Sequence, residues 1–177
     1  MNCYGGKDLA RAFRTVRENT ITIAEEIPES KYDFTPAPGL RSVRQLLTHI
    51  ALADSFSSIH RENRTNFDGV NFPAFVAQMQ AEEAKPRTKA EVVSLLKERG
   101  EDTAKWLESL SDEFLAEQFT QPAGPLATKS RFEMIMSMKE HEMHHRGQLM
   151  LVERMLGIVP HLTRAMQERF AAQQART

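Results

Sequence analysis

Apolar side chains recur at helical spacing along most of this chain. Leu9, Phe13, Val16, Ile23 and Ile27, with Thr20 completing the stripe, predict a first helix from Lys7 to about Ile27, where Pro28 stops it. Tyr32 to Leu40 is rich in proline and reads as an ordered loop. Ser42 then caps a second helix running to about Arg64, with Val43, Leu46, Leu47, Ile50, Ala53 and Phe56 on its apolar side and His49 among them. Asp68-Gly69 breaks the pattern, and Phe72 to Lys85 predicts a short helix inside a long connection. Thr88 starts the third long helix, whose apolar face is Val92, Leu95, Leu96, Ala104 and Leu107, with Gly100 as a weak point.

Ser111 to Lys129 contains Gln121-Pro122-Ala123-Gly124-Pro125, shows no alternation long enough to demand a strand, and reads as a loop. Ser130 caps the last main helix, with Met134, Met138, His141, His145, Gln148 or Leu149, and Val152 on one stripe and Gly157 closing it. Pro160 opens a shorter helix to about Gln173. The expected fold is all-α: a four-helix bundle with a long connection between helices 2 and 3 and a short extra C-terminal helix. One domain spanning 1–177 is expected, with a core of about 7–157 and an extension of about 160–173.

A net charge of -1, made of interspersed acids and bases, offers no field to steer a polyanion, so no nucleic-acid partner is expected. No run approaches the roughly 18 apolar residues of a membrane span, and the first residues lack a signal peptide's apolar centre. No membrane partner and a cytoplasmic location are therefore expected. Cys3, the single cysteine, reads as an ordinary free thiol.

The segment His141-Glu142-Met143-His144-His145-Arg146-Gly147-Gln148 speaks most directly about chemistry. Histidines one helical turn apart project side by side and can grip one divalent ion, but two ligands rarely close a site. The first and third helices carry no histidine, leaving His49, His60, His161 or a carboxylate for the third ligand. His60 follows His49 by about 16 Å along a helix axis, so only one of them can serve. His49 lies deeper in the apolar pattern, whereas His60 and His161 read as solvated. On the last helix His141, His144 and His145 fall within about 100°, and the core stripe favours the pair His141 and His145.

Two motifs occur in order: Phe34-Thr35-Pro36-Ala37-Pro38-Gly39 followed by Ser42 through Ile50, and His141 through Gln148 with its His-Arg-Gly-Gln ending. On these the sequence resembles the DinB/YfiT-like family of metalloenzymes, from the first helix to about Leu156. The resemblance implies a metal held by His49, His141 and His145, often nickel or zinc, and a homodimer. Arg41 stands where such proteins often carry a tryptophan or another bulky apolar residue.

Three neutral imidazoles leave a divalent ion its full charge and an open position, the arrangement of a catalytic site. Zinc and nickel lead, and iron and copper also suit the donors. The first expectation is an enzyme acting on a small-molecule substrate: a transferase that activates a low-molecular-weight thiol as co-substrate. The second is a hydrolase using water activated at the metal, and the third a non-catalytic metal-binding stress or interaction protein. Glu142 is a candidate general base that otherwise reads as a solvated acid. Arg146 is a candidate for orienting an anion, or else a partner for Glu140 or Glu142. Gln148 is a candidate hydrogen-bonding group in the pocket. His141-Glu142-x-x-His145 also matches a zinc-protease pattern, with no clear downstream ligand.

Overall fold

The computed structural model describes residues 4–120 and 128–175. Its helices and strands, in order, are α1 (Gly6–Glu26), α2 (Val43–Leu52), α3 (Ser58–Arg61), α4 (Phe72–Glu83), α5 (Lys89–Glu108), α6 (Asp112–Ala116), β1 (Gln118–Thr120), β2 (Thr128–Ser130), α7 (Arg131–Met155) and α8 (His161–Gln174). The bundle is formed by α1, α2, α5 and α7, with α4 inside the long connection between α3 and α5.

The expected caps set the helix starts. Ser42, Thr88 and Ser130 each accept from the amide three residues on, and Gln45, Glu91 and Glu133 reach back to the cap amide. Gly157, at a φ of 78°, closes α7 by taking the left-handed conformation that other residues resist. One apolar cluster joins Ile23, Ile27, Leu47, Ile50, Leu96, Leu149 and Val152. Tyr32 is buried there because its hydroxyl donates to the Ala24 carbonyl at 2.7 Å. A second cluster, around Leu9, Phe13, Leu107 and Ile135, fills the other end.

Between the clusters lies a buried ion pair. Arg17 of α1 donates from Nε and Nη2 to Glu142 of α7 at 3.0–3.1 Å, from Nη1 to the Leu96 carbonyl on α5 and from Nη2 to the Ile50 carbonyl on α2. One guanidinium thus ties all four main helices together. Gly100 makes room for it: a Cβ there would stand 2.7 Å from Arg17 Cγ. The glycine that looked like a weak point leaves space for a side chain arriving from α1.

Several expectations are corrected. The second helix does not run unbroken to Arg64; it tightens into a 3₁₀ segment at Ala53–Ser57 before α3. Asp54 is buried there, held by Arg99 at 2.8 Å and Thr103 at 3.1 Å on α5. Phe56, expected in the core, is 45% exposed and packs its ring on Phe75 of α4. Part of the expected loop from Ser111 to Lys129 is ordered as α6 and the antiparallel pair of β1 and β2, with Phe119 opposite Lys129. Three-residue strands are too short to alternate visibly, yet Phe119 is fully buried. Cys3 and Gln121-Pro122-Ala123-Gly124-Pro125 lie outside the described residues.

His60 is buried rather than solvated, and burial, with the adjacent Arg131 charge, lowers its pKa to about 4. Arg131, wholly buried at the start of α7, donates to Glu117 and Asn63 and lies over the Phe114 ring. His161 is half-buried and meets the Asn19 side chain at 2.9 Å. Among the described residues, no helix is long and apolar enough to cross a membrane.

Candidate metal centre

His49 projects from α2 toward His141 and His145, one turn apart on α7. One ring nitrogen of each lies within 4.8 Å of the others. Nε2 of His141 stands 3.1 Å from Nε2 of His49 and 3.2 Å from Nε2 of His145. Nitrogens bound at 2.0–2.1 Å to a tetrahedral ion stand about 3.3 Å apart, so the three donors fit one ion.

The groups behind the rings favour the same arrangement. Nδ1 of His49 donates to Glu83 Oε1 at 2.6 Å, and Nδ1 of His145 donates to Gln148 Oε1 at 2.8 Å. Each bond places the ring proton on Nδ1 and leaves the Nε2 lone pair facing the centre. A proton on His141 Nε2 can serve one neighbour well but cannot satisfy all three nitrogens; a divalent cation can. Burial, reinforced by the neighbouring histidines, lowers the His141 pKa to about 4. Burial also lowers His145, against the opposing effect of its hydrogen bond to Gln148. Both rings are neutral near pH 7, as metal ligation requires.

The carboxylate behind His49 was not singled out in the sequence. Glu83 ends α4, and nothing in the run Glu82-Glu83 separates it from its neighbour. It is buried and also accepts from Arg41 Nε at 2.7 Å. Burial raises its pKa, but the bonds and charges of Arg41 and His49 outweigh burial and hold it below the usual carboxylate value. Arg41 thus supports the site through Glu83.

His144 is exposed and outside the cluster, meeting Gln148 Nε2 at 3.3 Å. Glu142 is buried, its oxygens engaged by Arg17, so it is no solvated acid. Arg146, half-buried, pairs with neither Glu140 nor Glu142 among the described residues. Beside His145 lies a cavity of about 230 Å³, lined by Leu40, Arg41, Leu46, Gln148, Leu151 and Met155 among others.

A family model described as the DinB superfamily matches residues 12–149. No curated protein matches the sequence. Among solved structures, a DinB-like protein, YjoA from Bacillus subtilis, is 25% identical, with 84% of this chain and 92% of that one covered and a TM-score of 0.61. YfiT from Bacillus subtilis, described as a probable metal-dependent hydrolase with an unusual four-helix bundle topology, is 16% identical over 86% of this chain and 88% of its own, with a TM-score of 0.66. The colibactin self-resistance protein ClbS, solved in complex with double-stranded DNA, is 15% identical over 84% of this chain and 97% of its own, with a TM-score of 0.58. ClbS corrects the exclusion of nucleic acids drawn from net charge. A protein of the same fold is found with DNA, and a balanced total charge says nothing about how charge is distributed over a surface.

Proposed function

The chain belongs to the DinB superfamily, and from that premise we propose that it is a metal-dependent enzyme with His49, His141 and His145 as ligands. The observation that carries this reading is the convergence of three Nε2 atoms, two of them oriented from behind by Glu83 and Gln148. Bound there, a zinc or nickel ion would keep its full double charge and favour the deprotonated form of a thiol or water coordinated to it.

The reaction that fits best is transfer of a low-molecular-weight thiol to an electrophilic carbon. A sulfur–carbon bond forms, the bond to the leaving group breaks, and the thiol proton passes to solvent. This reading is supported by the state of the nearby acids. Glu83 is engaged by His49 and Arg41, and Glu142 by Arg17, so neither carboxylate is free to carry protons for an attacking water. Gln148, holding His145 through its amide oxygen, is a positioning residue. Arg146, which is not among the residues lining the cavity beside His145, has no part in the reaction so read. The same reading takes the chain as one domain, with the helix after Pro160 as an extension of its core.

Hydrolysis is the second reading, favoured by the description of YfiT as a probable metal-dependent hydrolase. The test is a turnover panel with zinc- or nickel-loaded protein: thiols paired with alkylating electrophiles in one arm, esters and amides in the other. Thiol-dependent turnover lost in His145→Ala supports transfer, and turnover of esters without thiol replaces it with hydrolysis. Metal binding with turnover in neither arm would leave a non-catalytic metal protein.

A further inference from the structure

The walls around the histidines are chemically uneven. The cavity beside His145 is faced by Leu46, Leu151, Val152 and Met155. Leu151 and Met155 are 60% and 51% exposed, so their apolar surface is left uncovered by the described residues. At about 230 Å³ the cavity is smaller than the roughly 300 Å³ at which pockets for drug-sized ligands begin, which suits a short apolar body.

Arg41 lines the same cavity and supplies its formal positive charge. Its Nε and Nη2 face Glu83 at 2.7 and 3.4 Å, which fixes the plane of the guanidinium. Nη1 has no hydrogen-bond partner among the described residues, although a guanidinium carries five donors. A pre-oriented guanidinium with unused donors beside an apolar wall is suited to an oxyanion attached to a hydrocarbon body.

We propose that the site takes an amphipathic anion, its apolar body lying against Leu46, Leu151 and Met155 and its carboxylate or similar oxyanion on Nη1 of Arg41. The reacting group of the same molecule then faces the histidines. Only that last placement rests on the metal reading; the chain's own side chains hold the apolar body and the anion. Arg41 acts in substrate recognition through Nη1 while supporting His49 through Glu83.

The test is calorimetric titration of the full chain, stripped of metal, with straight-chain carboxylates from butanoate to decanoate and with the matching alcohols. Affinity should tighten with chain length, and alcohols should bind about tenfold or more weakly, as should carboxylates to Arg41→Gln. Leu151→Glu, which adds a negative charge at an exposed rim position, should weaken carboxylates with little effect on alcohols. Carboxylate binding that requires zinc and is unchanged in Arg41→Gln would make the anion a metal ligand and overturn the proposal. Affinity independent of chain length would remove its apolar half, and self-association that blocks binding would assign the apolar face to a second copy. Metal-free titration separates the two readings: carboxylate binding by a protein that takes up no zinc would keep this inference and sink the metal reading.

Discussion

Glu83 accepts a 2.6 Å hydrogen bond from Nδ1 of His49 across 34 residues of chain. The long connection between the second and third main helices therefore does more than span a gap. Through α4 it delivers a buried carboxylate behind a ring whose other nitrogen faces His141.

A carboxylate in that position fixes the ring's tautomer and raises its basicity as a ligand. Glu83→Ala should weaken zinc binding by about 10–100-fold, and Glu83→Gln, which keeps an acceptor, should weaken it less. Competition against a chromophoric chelator measures both, with circular dichroism to show that the helices persist. Unchanged affinity in Glu83→Ala would mean that His49 needs no support from α4.

Gly100→Ala gains helix propensity worth about 1 kcal/mol yet should destabilise the fold. The added Cβ would meet Arg17 Cγ at 2.7 Å, with Cδ and Nη1 at 3.2 Å, and Arg17 cannot retreat without leaving Glu142. Overpacking of this kind costs about 1–3 kcal/mol, and more if the ion pair opens. Denaturant unfolding measures the balance, and a stabilised variant would show that Arg17 has another place to go.

Removing one partner of the buried pair leaves the other charge uncompensated. Glu142→Ala should cost about 3–5 kcal/mol of stability, while the folded variant keeps wild-type zinc stoichiometry. Loss of turnover in folded, fully zinc-loaded Glu142→Ala would return Glu142 to the chemistry.

Glu153 should lower stability as pH rises from about 4.5 to 7. It is fully buried with neither carboxyl oxygen hydrogen-bonded among the described residues, and burial first, the Glu26 charge second, raise its pKa from 4.5 to about 7. Between those values the folded chain holds a proton that the unfolded chain has released. The stabilising contribution of the neutral acid is therefore complete below about pH 4.5 and lost as pH climbs through 7, an effect of about 3 kcal/mol. His60 and His141, lowered to about 4, act in the opposite sense over an overlapping window, their contribution falling away as pH drops from 6.5 through 4, so the Glu153 effect is read as a difference from a variant that keeps both histidines. Thermal unfolding between pH 4.5 and 8 should show the stability of wild type relative to Glu153→Gln, which shares the histidine contributions, falling as pH rises and levelling above about 7. The difference should be about 2–4 °C per kcal/mol in a chain of this length. Parallel profiles would contradict the assignment.

The parts of this fold that repeat were readable in the sequence. Stripes such as Leu9, Phe13, Val16 and Ile23 fixed the long helices, and Ser42, Thr88 and Ser130 marked their starts, because period and capping are local properties. The nearness of His49 to His141 and His145 followed from two short motifs in order. What stayed hidden depends on contacts between distant segments. Asp54 meets Arg99 and Thr103 only once α5 is in place, so the tightening after Leu52 had no local signal. His60 looked solvated beside Arg61, Glu62 and Arg64, yet Arg131, far along the chain, covers it. Glu142 looked like a surface acid because its partner, Arg17, lies on another helix. Glu83 had nothing to distinguish it from Glu82 until α4 packed beside α2.

The central claim is that His49, His141 and His145 together hold one divalent ion. It is tested most directly by elemental analysis of untagged protein after zinc or nickel reconstitution, alongside His49→Ala, His141→Ala and His145→Ala. About one equivalent of metal per chain in wild type, lost in all three variants while they remain helical, is the predicted result. No metal in wild type, or full occupancy in any one of the variants, would contradict it.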